Sequence, residues 1–312
     1  MIQQPLVSIA LCTYNGAPYL RQQLDTLVGQ TYSNIELIVV DDCSTDGTVT
    51  ILQEYASNHP QLKLHHNLSN LGYVKNFEKA ISLTQGELIA LADQDDIWDT
   101  DKIRLMVEGI ADNIMLYHDS EFTDEQEQPL NKKVTDVRNF YAGNDSRVFL
   151  FENCVSGHSI LFKRELVSYL TGFNKVIIHD WWLAYIACNV GSIGYLPQAL
   201  VQYRQHQKAS TNILRQDRGQ AKKKNKGLEK IENQYNITRE FAAYPHNNHN
   251  EFKQKLFRLM EDRMQNYFAF GLVWFMFINR DTLLYIQKKS SVSKFNFIIK
   301  QVWGYKFKKL FG

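Results

Sequence analysis

The sequence lacks several features that would assign it to common protein classes. Its longest apolar stretch, residues 268–278, has 11 residues, too few to cross a bilayer as a helix. It has four cysteines and no Cys-x-x-Cys spacing, which excludes a disulfide framework and predicts reduced thiols in a cytoplasmic protein. No Gly-x-Gly-x-x-Gly turn follows the first apolar strand, which excludes a dinucleotide-dependent oxidoreductase. Residues 1–5 lead directly into a strand pattern, so we expect no signal peptide.

Charge is distributed unevenly along the 312 residues. Residues 1–210 hold 15 Lys and Arg against 25 Asp and Glu, a net charge of −10. Residues 211–312 hold 20 against 8, a net charge of +12. An acidic body with a basic end predicts two regions with different partners.

Strand and helix patterns alternate through the first 118 residues. Apolar runs at 6–13, 35–40, 62–65 and 87–92 predict strands, and helical patterns follow the first three, at about 18–30, 47–55 and 72–83. Such repeated units predict an α/β fold with a mostly parallel sheet between helices. Residues 120–153 are polar and predict a mobile loop region, whereas 154–162 and 193–203 predict two further strands around a helix at 180–188.

Three carboxylates lie within four residues after the fourth predicted strand, in the segment Asp93-Gln94-Asp95-Asp96. Carboxylates this close repel one another unless a cation lies among them, and Mg²⁺ or Mn²⁺ prefers such oxygen ligands. Ligands of open α/β sheets collect beyond the carboxyl ends of the strands, where this segment falls. The alternative is an acidic loop that caps the next helix through Asp96 or Asp99.

Several segments together resemble the family 2 glycosyltransferases. They are the first strand and its turn through Gly16, the segment 39–48 with Asp41-Asp42, the Asp93–Asp96 segment, His179-Asp180-Trp181-Trp182, and Tyr203-Arg204-Gln205-His206. The resemblance covers about residues 5–210 in the family's order, and it implies a GT-A fold with inverting transfer from a nucleotide-sugar donor. We therefore expect a catalytic domain at 1–212, with a nucleotide-binding half at 1–118 and an acceptor-binding half at 119–212. A helical region at 213–312 would follow.

The resemblance implies roles for residues at the strand ends. Asp95 would be the direct ligand of Mn²⁺ or Mg²⁺, Asp93 would contact the ribose or metal-bound water, and His206 would add a ligand or touch a phosphate. The alternative for His206 is an ordinary surface histidine. Asp42 would accept the N3–H of a uracil or thymine ring. The remaining nucleotide-side or supporting residues are Thr13, Tyr14, Asn15, Asp41, Gly72, Asn76, Gln94 and Asp96.

Asp180 is the candidate general base, because inversion needs one carboxylate to take the proton of the acceptor hydroxyl. His179 is expected to orient it, and Trp181 and Trp182 would supply an apolar surface for the sugar. Gly157 and His158 are placed on the acceptor side. The competing interpretation is that Asp180 caps a helix whose tryptophans belong to the core.

The Asp-Gln-Asp-Asp-Ile-Trp and His-Asp-Trp-Trp segments look most like bacterial rhamnosyltransferases of surface-polysaccharide assembly, including O-antigen. This implies dTDP-L-rhamnose as donor, with a UDP-hexose (galactose, glucose or N-acetylhexosamine) as the rival, and a saccharide on a lipid carrier as acceptor. A nucleotide-sugar-binding protein without catalysis and a metal phosphohydrolase are the rival functions.

The last residues, 293–311, interleave aromatic side chains with lysines. This composition predicts a peripheral contact with the inner face of the cell membrane. Nucleic-acid binding is the disfavoured alternative, because the segment is rich in Phe, Trp and Ile. A helix pair that packs on the catalytic domain or on a second copy of the chain is the third option.

Overall fold

The computed structural model describes residues 4–206, 214 and 226–311. They belong to two compact units. The first, called here the sheet unit, is drawn from residues 1–136, 140–144 and 155–211, and the second, the helical unit, from 137–139, 145–154 and 212–312. Residues 213 and 215–225, at the start of the predicted C-terminal region, lie outside the described residues.

Nine strands of the described residues form one sheet, and all lie in the sheet unit. Their order across the sheet is β3-β2-β1-β4-β8-β6-β9-β5, with β7 paired to β6. The strands are β1 (Val7–Thr13), β2 (Ile35–Asp41), β3 (Leu62–His66), β4 (Leu88–Ala92), β5 (Ile97–Trp98), β6 (Met115–Thr123), β7 (Pro129–Lys133), β8 (Leu161–Lys163) and β9 (Ile193–Arg204).

The α/β prediction is confirmed, and the first four strands in the order are parallel as expected. Beyond β4 the sheet is mixed, because β8 runs antiparallel to both β4 and β6, while β6 and β9 are parallel. Every residue of β1 and β4 is buried, which explains their unbroken apolar sequences. The helices of the sheet unit are α1 (Ala17–Val28), α2 (Thr48–Asn58), α3 (Tyr73–Leu83), α4 (Lys102–Gly109), α5 (Val134–Val137, whose last residue belongs to the helical unit) and α6 (His179–Val190).

Two expectations for the middle of the chain are wrong. The predicted loop region at 120–153 begins inside β6, which continues to Thr123 and forms a hairpin with β7. The predicted strand at 154–162 is a 3₁₀ turn, Gly157–Ser159, followed by the short strand β8. In both places buried polar side chains such as His118, Ser120 and His158 interrupt the apolar pattern that identifies strands from sequence.

The helical unit contains α7 (Lys226–Ala243), α8 (Asn250–Gln265), α9 (Phe270–Ile278), α10 (Arg280–Leu283), α11 (Ser291–Ile299) and α12 (Tyr305–Phe311). The predicted helical character of this region is confirmed for its described residues. Among them, no helix combines the length and the apolar composition that a membrane crossing requires.

Candidate functional site

The carboxyl ends of three parallel strands bring distant polar segments to one edge of the sheet. Thr13 at the end of β1 is the register partner of Asp41 at the end of β2. On the other side of β1, Leu11 pairs with Ala92, the last residue of β4, and Asp93 follows directly. The edge predicted from the sequence is therefore formed by these strand ends.

The acidic segment after β4 is tied to the first turn of the chain through Gln94. The backbone N–H of Tyr14 donates to Gln94 Oε1 at 2.8 Å, and Gln94 Nε2 donates back to the Tyr14 carbonyl at 3.1 Å. Gln23 on α1 donates to the Asp93 carbonyl at 2.9 Å. These bonds hold the Gln94 side chain and the Asp93 backbone against the first turn and α1.

Asp95 and His206 meet although 111 positions separate them in the sequence. His206 Nε2 lies 2.8 Å from Asp95 Oδ2. Arg204, at the end of β9, holds this arrangement: its Nε donates to the Asp95 carbonyl at 2.9 Å and its backbone N–H donates to Asp96 Oδ1 at 3.2 Å. The structure thus brings together the two residues predicted as metal ligands.

Asp96 lies beneath this pair in a fully buried polar network. Its Oδ2 atom is 3.1 Å from His158 Nδ1 but has no hydrogen-bond partner within the described part of the chain. Burial, together with the charges of Asp95 and Asp93, raises the pKa of Asp96 well above its ordinary value. Lys102, also buried, donates to the His158 carbonyl at 2.6 Å, and burial lowers the pKa of Lys102 well below its ordinary value.

His158, which the sequence analysis places on the acceptor side, is a buried member of this polar network, and its acceptor-side role stays a prediction. It is 1% exposed, contacts Asp96 with Nδ1, and has Nε2 2.8 Å from Ser120 Oγ on β6. Ligand atoms of Asp93, Asp96 and His158 all lie within 4.8 Å of one another. A second possible donor set, which sequence reasoning missed, therefore adjoins the pair of Asp95 and His206.

The residues around the acidic segment fit a divalent cation. Carboxylate oxygens with one or two imidazole nitrogens suit Mn²⁺, and oxygen ligands alone suit Mg²⁺. A cation bound nearby would coordinate the buried Asp96 oxygen, which lacks a hydrogen-bond partner among the described residues. The two histidines and three aspartates of this edge can thus hold a metal in either of two adjoining sets, Asp95 with His206 or Asp93 and Asp96 with His158.

On the nucleotide side, Asp42 organises the loop before α3. Its Oδ1 accepts from Asn67 Nδ2 at 2.7 Å and from the Leu71 N–H at 2.8 Å, and its Oδ2 accepts from the Gly72 N–H at 2.8 Å. Gly72 has a φ of +80°, a conformation that favours glycine. Asn76 is buried and joins Asn67 to β2 by donating to the Val40 carbonyl. Asn76 therefore stabilises the loop, and its predicted nucleotide-side role stays a prediction.

Thr13, Asp41 and Asn15 have comparable partners within the protein. Asp41 accepts from Thr13 Oγ1 at 2.9 Å and from the Ser44 N–H at 2.9 Å. Asn15 Oδ1 accepts from the Thr45 N–H at 2.8 Å, while Tyr14 keeps 49% of its surface exposed. Of these residues, Tyr14 is the side chain available to stack on a planar ring.

Asp180 lies at the second position of α6 with its carboxylate buried. It accepts from the Trp181 N–H at 2.5 Å and from the Gly157 N–H. Burial, with a smaller contribution from the charge of Asp93, raises the pKa of Asp180 to about 7. A carboxylate with such a pKa suits a general base at neutral pH.

The neighbours of Asp180 differ from the sequence prediction in two ways. The His179 ring stacks on the Phe77 ring with 4.1 Å between the ring centroids, and neither ring nitrogen has a hydrogen-bond partner in the described ranges. His179 therefore does not orient the base through a hydrogen bond. Trp182 is 3% exposed and stacks on Tyr185, so it belongs to the core and does not face an acceptor, whereas Trp181 is partly exposed. Helical periodicity explains the difference, since adjacent positions of α6 point to different sides.

Gly157 is required where it lies. A Cβ atom there would come 2.9 Å from His179 Nε2, so a larger residue would require the buried His179 ring to shift. The predicted acceptor-side role of Gly157 stays a prediction, but its backbone already contacts the candidate base.

Three residues of the site had no assigned role in the sequence interpretation: Lys102, Arg204 and Tyr73. Tyr73 begins α3 with 48% of its surface exposed. Partial burial and the nearby charge of Asp180 raise the pKa of Tyr73. Arg204 lay within a segment already singled out, so its position beside His206 was a usable signal. Nothing in the sequence around Lys102 distinguishes it from a surface lysine of α4.

Comparison with known proteins finds glycosyltransferases, both by family model and among individual relatives. The family model described as "Glycosyl transferase family 2" matches residues 8–170, just over half of the chain. An uncharacterized glycosyltransferase of Haemophilus influenzae is 26% identical over 231 residues, which cover 70% of this chain and 72% of that protein. The putative teichuronic acid biosynthesis glycosyltransferase TuaG of Bacillus subtilis is 35% identical over 105 residues, 34% of this chain and 42% of TuaG.

Among solved structures, residues 1–349 of S. aureus TarS in complex with UDP-GlcNAc match with a TM-score of 0.58 at 18% identity. The match covers 82% of this chain and 72% of that chain. At this identity the likeness establishes the shared fold.

Proposed function

The chain belongs to glycosyl transferase family 2, and on this premise we propose that it moves a sugar from a nucleotide-diphosphate donor to a saccharide acceptor, with inversion at the anomeric carbon. The observation that carries the proposal is the position of Asp180. This buried carboxylate accepts from the Gly157 N–H, and the next residue, His158, lies 3.1 Å from Asp96 of the acidic segment. A candidate base thus adjoins a candidate diphosphate site.

In the proposed reaction, Asp180 takes the proton of an acceptor hydroxyl while the oxygen of that hydroxyl attacks the anomeric carbon. The nucleoside diphosphate leaves from the opposite face of the sugar ring, which inverts the configuration. The N–H groups of Trp181 and Gly157 hold the carboxylate in position. Tyr73, which is exposed, and Trp181, which is partly exposed, would line the path of the acceptor beside Asp180.

Asp95 and His206, with Asp93, Asp96 and His158 as the adjoining set, would hold Mn²⁺ or Mg²⁺. Such an ion, when bound, neutralises negative charge that develops on the departing diphosphate. Arg204 and Lys102 fix the backbone that carries these ligands, because they bind the carbonyl oxygens of Asp95 and His158.

We propose dTDP-L-rhamnose as the first candidate donor, on the basis of the Asp93–Trp98 and His179–Trp182 segments. A UDP-hexose is the second candidate, since uracil and thymine present the same N3–H edge to Asp42. Tyr14, exposed at the end of β1, would stack on either base. The similarity to TuaG, whose name refers to teichuronic acid biosynthesis, supports a role in cell-surface polysaccharide synthesis. The acceptor would be a saccharide on a lipid carrier at the inner face of the membrane.

The test is a panel of dTDP-L-rhamnose, UDP-glucose, UDP-galactose and UDP-N-acetylglucosamine, each with Mn²⁺ or Mg²⁺. The true donor should raise the melting temperature and be hydrolysed slowly without an acceptor. Protection by UDP-galactose but not by dTDP-L-rhamnose would refute the rhamnosyl assignment. Breakdown of a donor that no saccharide acceptor accelerates would indicate a phosphohydrolase, and binding without any turnover would indicate a binding protein.

A further inference from the structure

The helical unit presents an exposed apolar surface built from two helices. On α9, Phe270, Trp274 and Ile278 recur every four residues, so they lie along one side of the helix, and they are 69%, 66% and 57% exposed. The opposite side of α9 is occupied by Leu272, Phe275 and Met276, which are buried. The helix therefore has a core-facing side and a second apolar side that meets solvent, where a water-facing helix would be polar.

Helix α11 has the same construction. Val292, Phe295 and Ile299 lie on one side at 69%, 48% and 42% exposure, whereas Ile298 is buried. The two exposed rows are continuous, because Phe277 links them. Its ring centroid lies 6.2 Å from that of Trp274 and 6.4 Å from that of Phe295. We call the six exposed residues of α9 and α11 the aromatic face.

Positive charge surrounds the aromatic face. Lys289 precedes α11, Lys294 lies on it and Lys300 follows it, and none of these three has a carboxylate within ion-pair distance in the part of the chain that the structure describes. Arg280 follows α9, with its guanidinium 5.5 Å from the Phe277 ring. From residue 268 to 311 the sequence has eight Lys and Arg and one acidic residue, Asp281.

We propose that the aromatic face binds the surface of an anionic lipid bilayer. Trp and Phe at the centre would enter the boundary between headgroups and acyl chains, while the lysine rim would meet anionic headgroups. Helix α9, with nine residues, is about 14 Å long and cannot cross the hydrocarbon core. The contact is therefore one in which the helices lie along the membrane surface.

Charge complementarity selects this occupant over a second copy of the chain. In a symmetric dimer through this face, the same lysines would meet one another, with one acidic side chain per copy in the segment to balance them. Lysine is also depleted in protein–protein interfaces. The proposal extends the proposed lipid-linked acceptor, but its evidence is independent of the chemistry at Asp180.

The test measures binding of the full chain to vesicles of phosphatidylglycerol with phosphatidylcholine and of phosphatidylcholine alone. We expect strong binding to the anionic vesicles. Trp274→Ser combined with Phe295→Ser should lower the partition coefficient at least about tenfold. Replacing Lys289, Lys294 and Lys300 by serine should lower it about fivefold per lysine on anionic vesicles only. Leu68→Ser, which removes an exposed apolar side chain of the sheet unit, is the control and should change nothing.

The fluorescence of Trp274 can also show whether this side chain enters the lipid. Brominated lipids should quench its fluorescence, and Trp274→Phe should keep vesicle binding while losing this part of the quenching. Absence of vesicle binding by the unmodified protein, or binding that the serine variants leave unchanged, would overturn the inference. So would a dimer that dissociates in the Trp274→Ser, Phe295→Ser variant. Donor-induced thermal protection in the same preparations tests the proposed function separately, since the two results need not fail together.

Discussion

Replacing Asp180 with asparagine should remove sugar transfer and, at the same time, stabilise the protein at alkaline pH. The reason is that the pKa of Asp180 is raised from an ordinary value of 3.8 to about 7, mainly by burial. Asparagine has nearly the same shape, and its carbonyl can still accept the N–H bond of Trp181. The substitution thus removes the buried charge while the packing is kept.

The sign of the pH effect follows from the direction of the shift. Between pH about 4 and about 7 the folded state binds a proton at Asp180 that the unfolded state has released, so stability falls as pH rises through this window. The difference is about 3 pKa units at about 1.4 kcal/mol each, which sets an upper limit of about 4 kcal/mol on the cost above pH 7. A gain of about 2–8 °C in melting temperature would correspond to a realistic fraction of this limit.

The assay is thermal or urea unfolding of both proteins from about pH 5 to pH 8, without donor or metal. The advantage of Asp180→Asn should grow as pH rises and level off above about pH 7. Asp112→Asn, which changes an exposed carboxyl, serves as the matched control and should show no such growth. In Asp180→Asn, transfer should fall at least about 100-fold while donor binding persists.

The reasoning would be refuted if Asp180→Asn were no more stable than the unmodified protein at pH 8, or if its advantage were the same at every pH. Unchanged transfer would remove Asp180 from the mechanism altogether. In the unmodified protein, kcat/KM should rise with pH through an apparent pKa near 7, because Asp180 must lose its proton to act as a base.

Three further predictions concern the rest of the site. Asp95→Asn should abolish the additional thermal protection that Mn²⁺ gives the donor-bound protein. His206→Ala should weaken metal affinity about 10–100-fold, measured by titration. Unchanged metal dependence in both variants would refute the ligand assignment. Lys102→Met should lower the free energy of unfolding by about 1–3 kcal/mol in urea, because the buried His158 carbonyl loses its donor. Asp42→Asn should weaken UDP and dTDP binding in calorimetry, because an amide cannot accept all three N–H bonds that hold the loop before α3.

Local sequence signals were sufficient for the first half of the sheet. Strands β1 to β4 were predicted within about one residue, because each is an apolar run that ends at a turn-forming or acidic residue. The same signals identified the strand ends at which polar residues collect. Parallel pairing then brings those ends to one edge as a matter of topology.

Strand β6 could not be predicted in the same way. It carries His118, Asp119 and Ser120, all buried, and such residues read as a loop when their partners are unknown. Their burial depends on neighbours from elsewhere in the chain: His158 for Ser120, and Thr135 for Asp119. A polar strand in the middle of a sheet can be recognised only when the residues that pair with its side chains are known.

The sequence by itself determined the α/β order of the first half, the acidic strand ends and the candidate base, because these are encoded in short segments. Only the tertiary structure decided that His158 lies beneath Asp96, that Trp182 belongs to the core, and that Lys102 is buried. It also decided that two rows of apolar side chains on α9 and α11 join into one exposed face. The physical reason is that desolvation and pairing depend on which distant residues become neighbours, and a linear pattern carries no record of those distances.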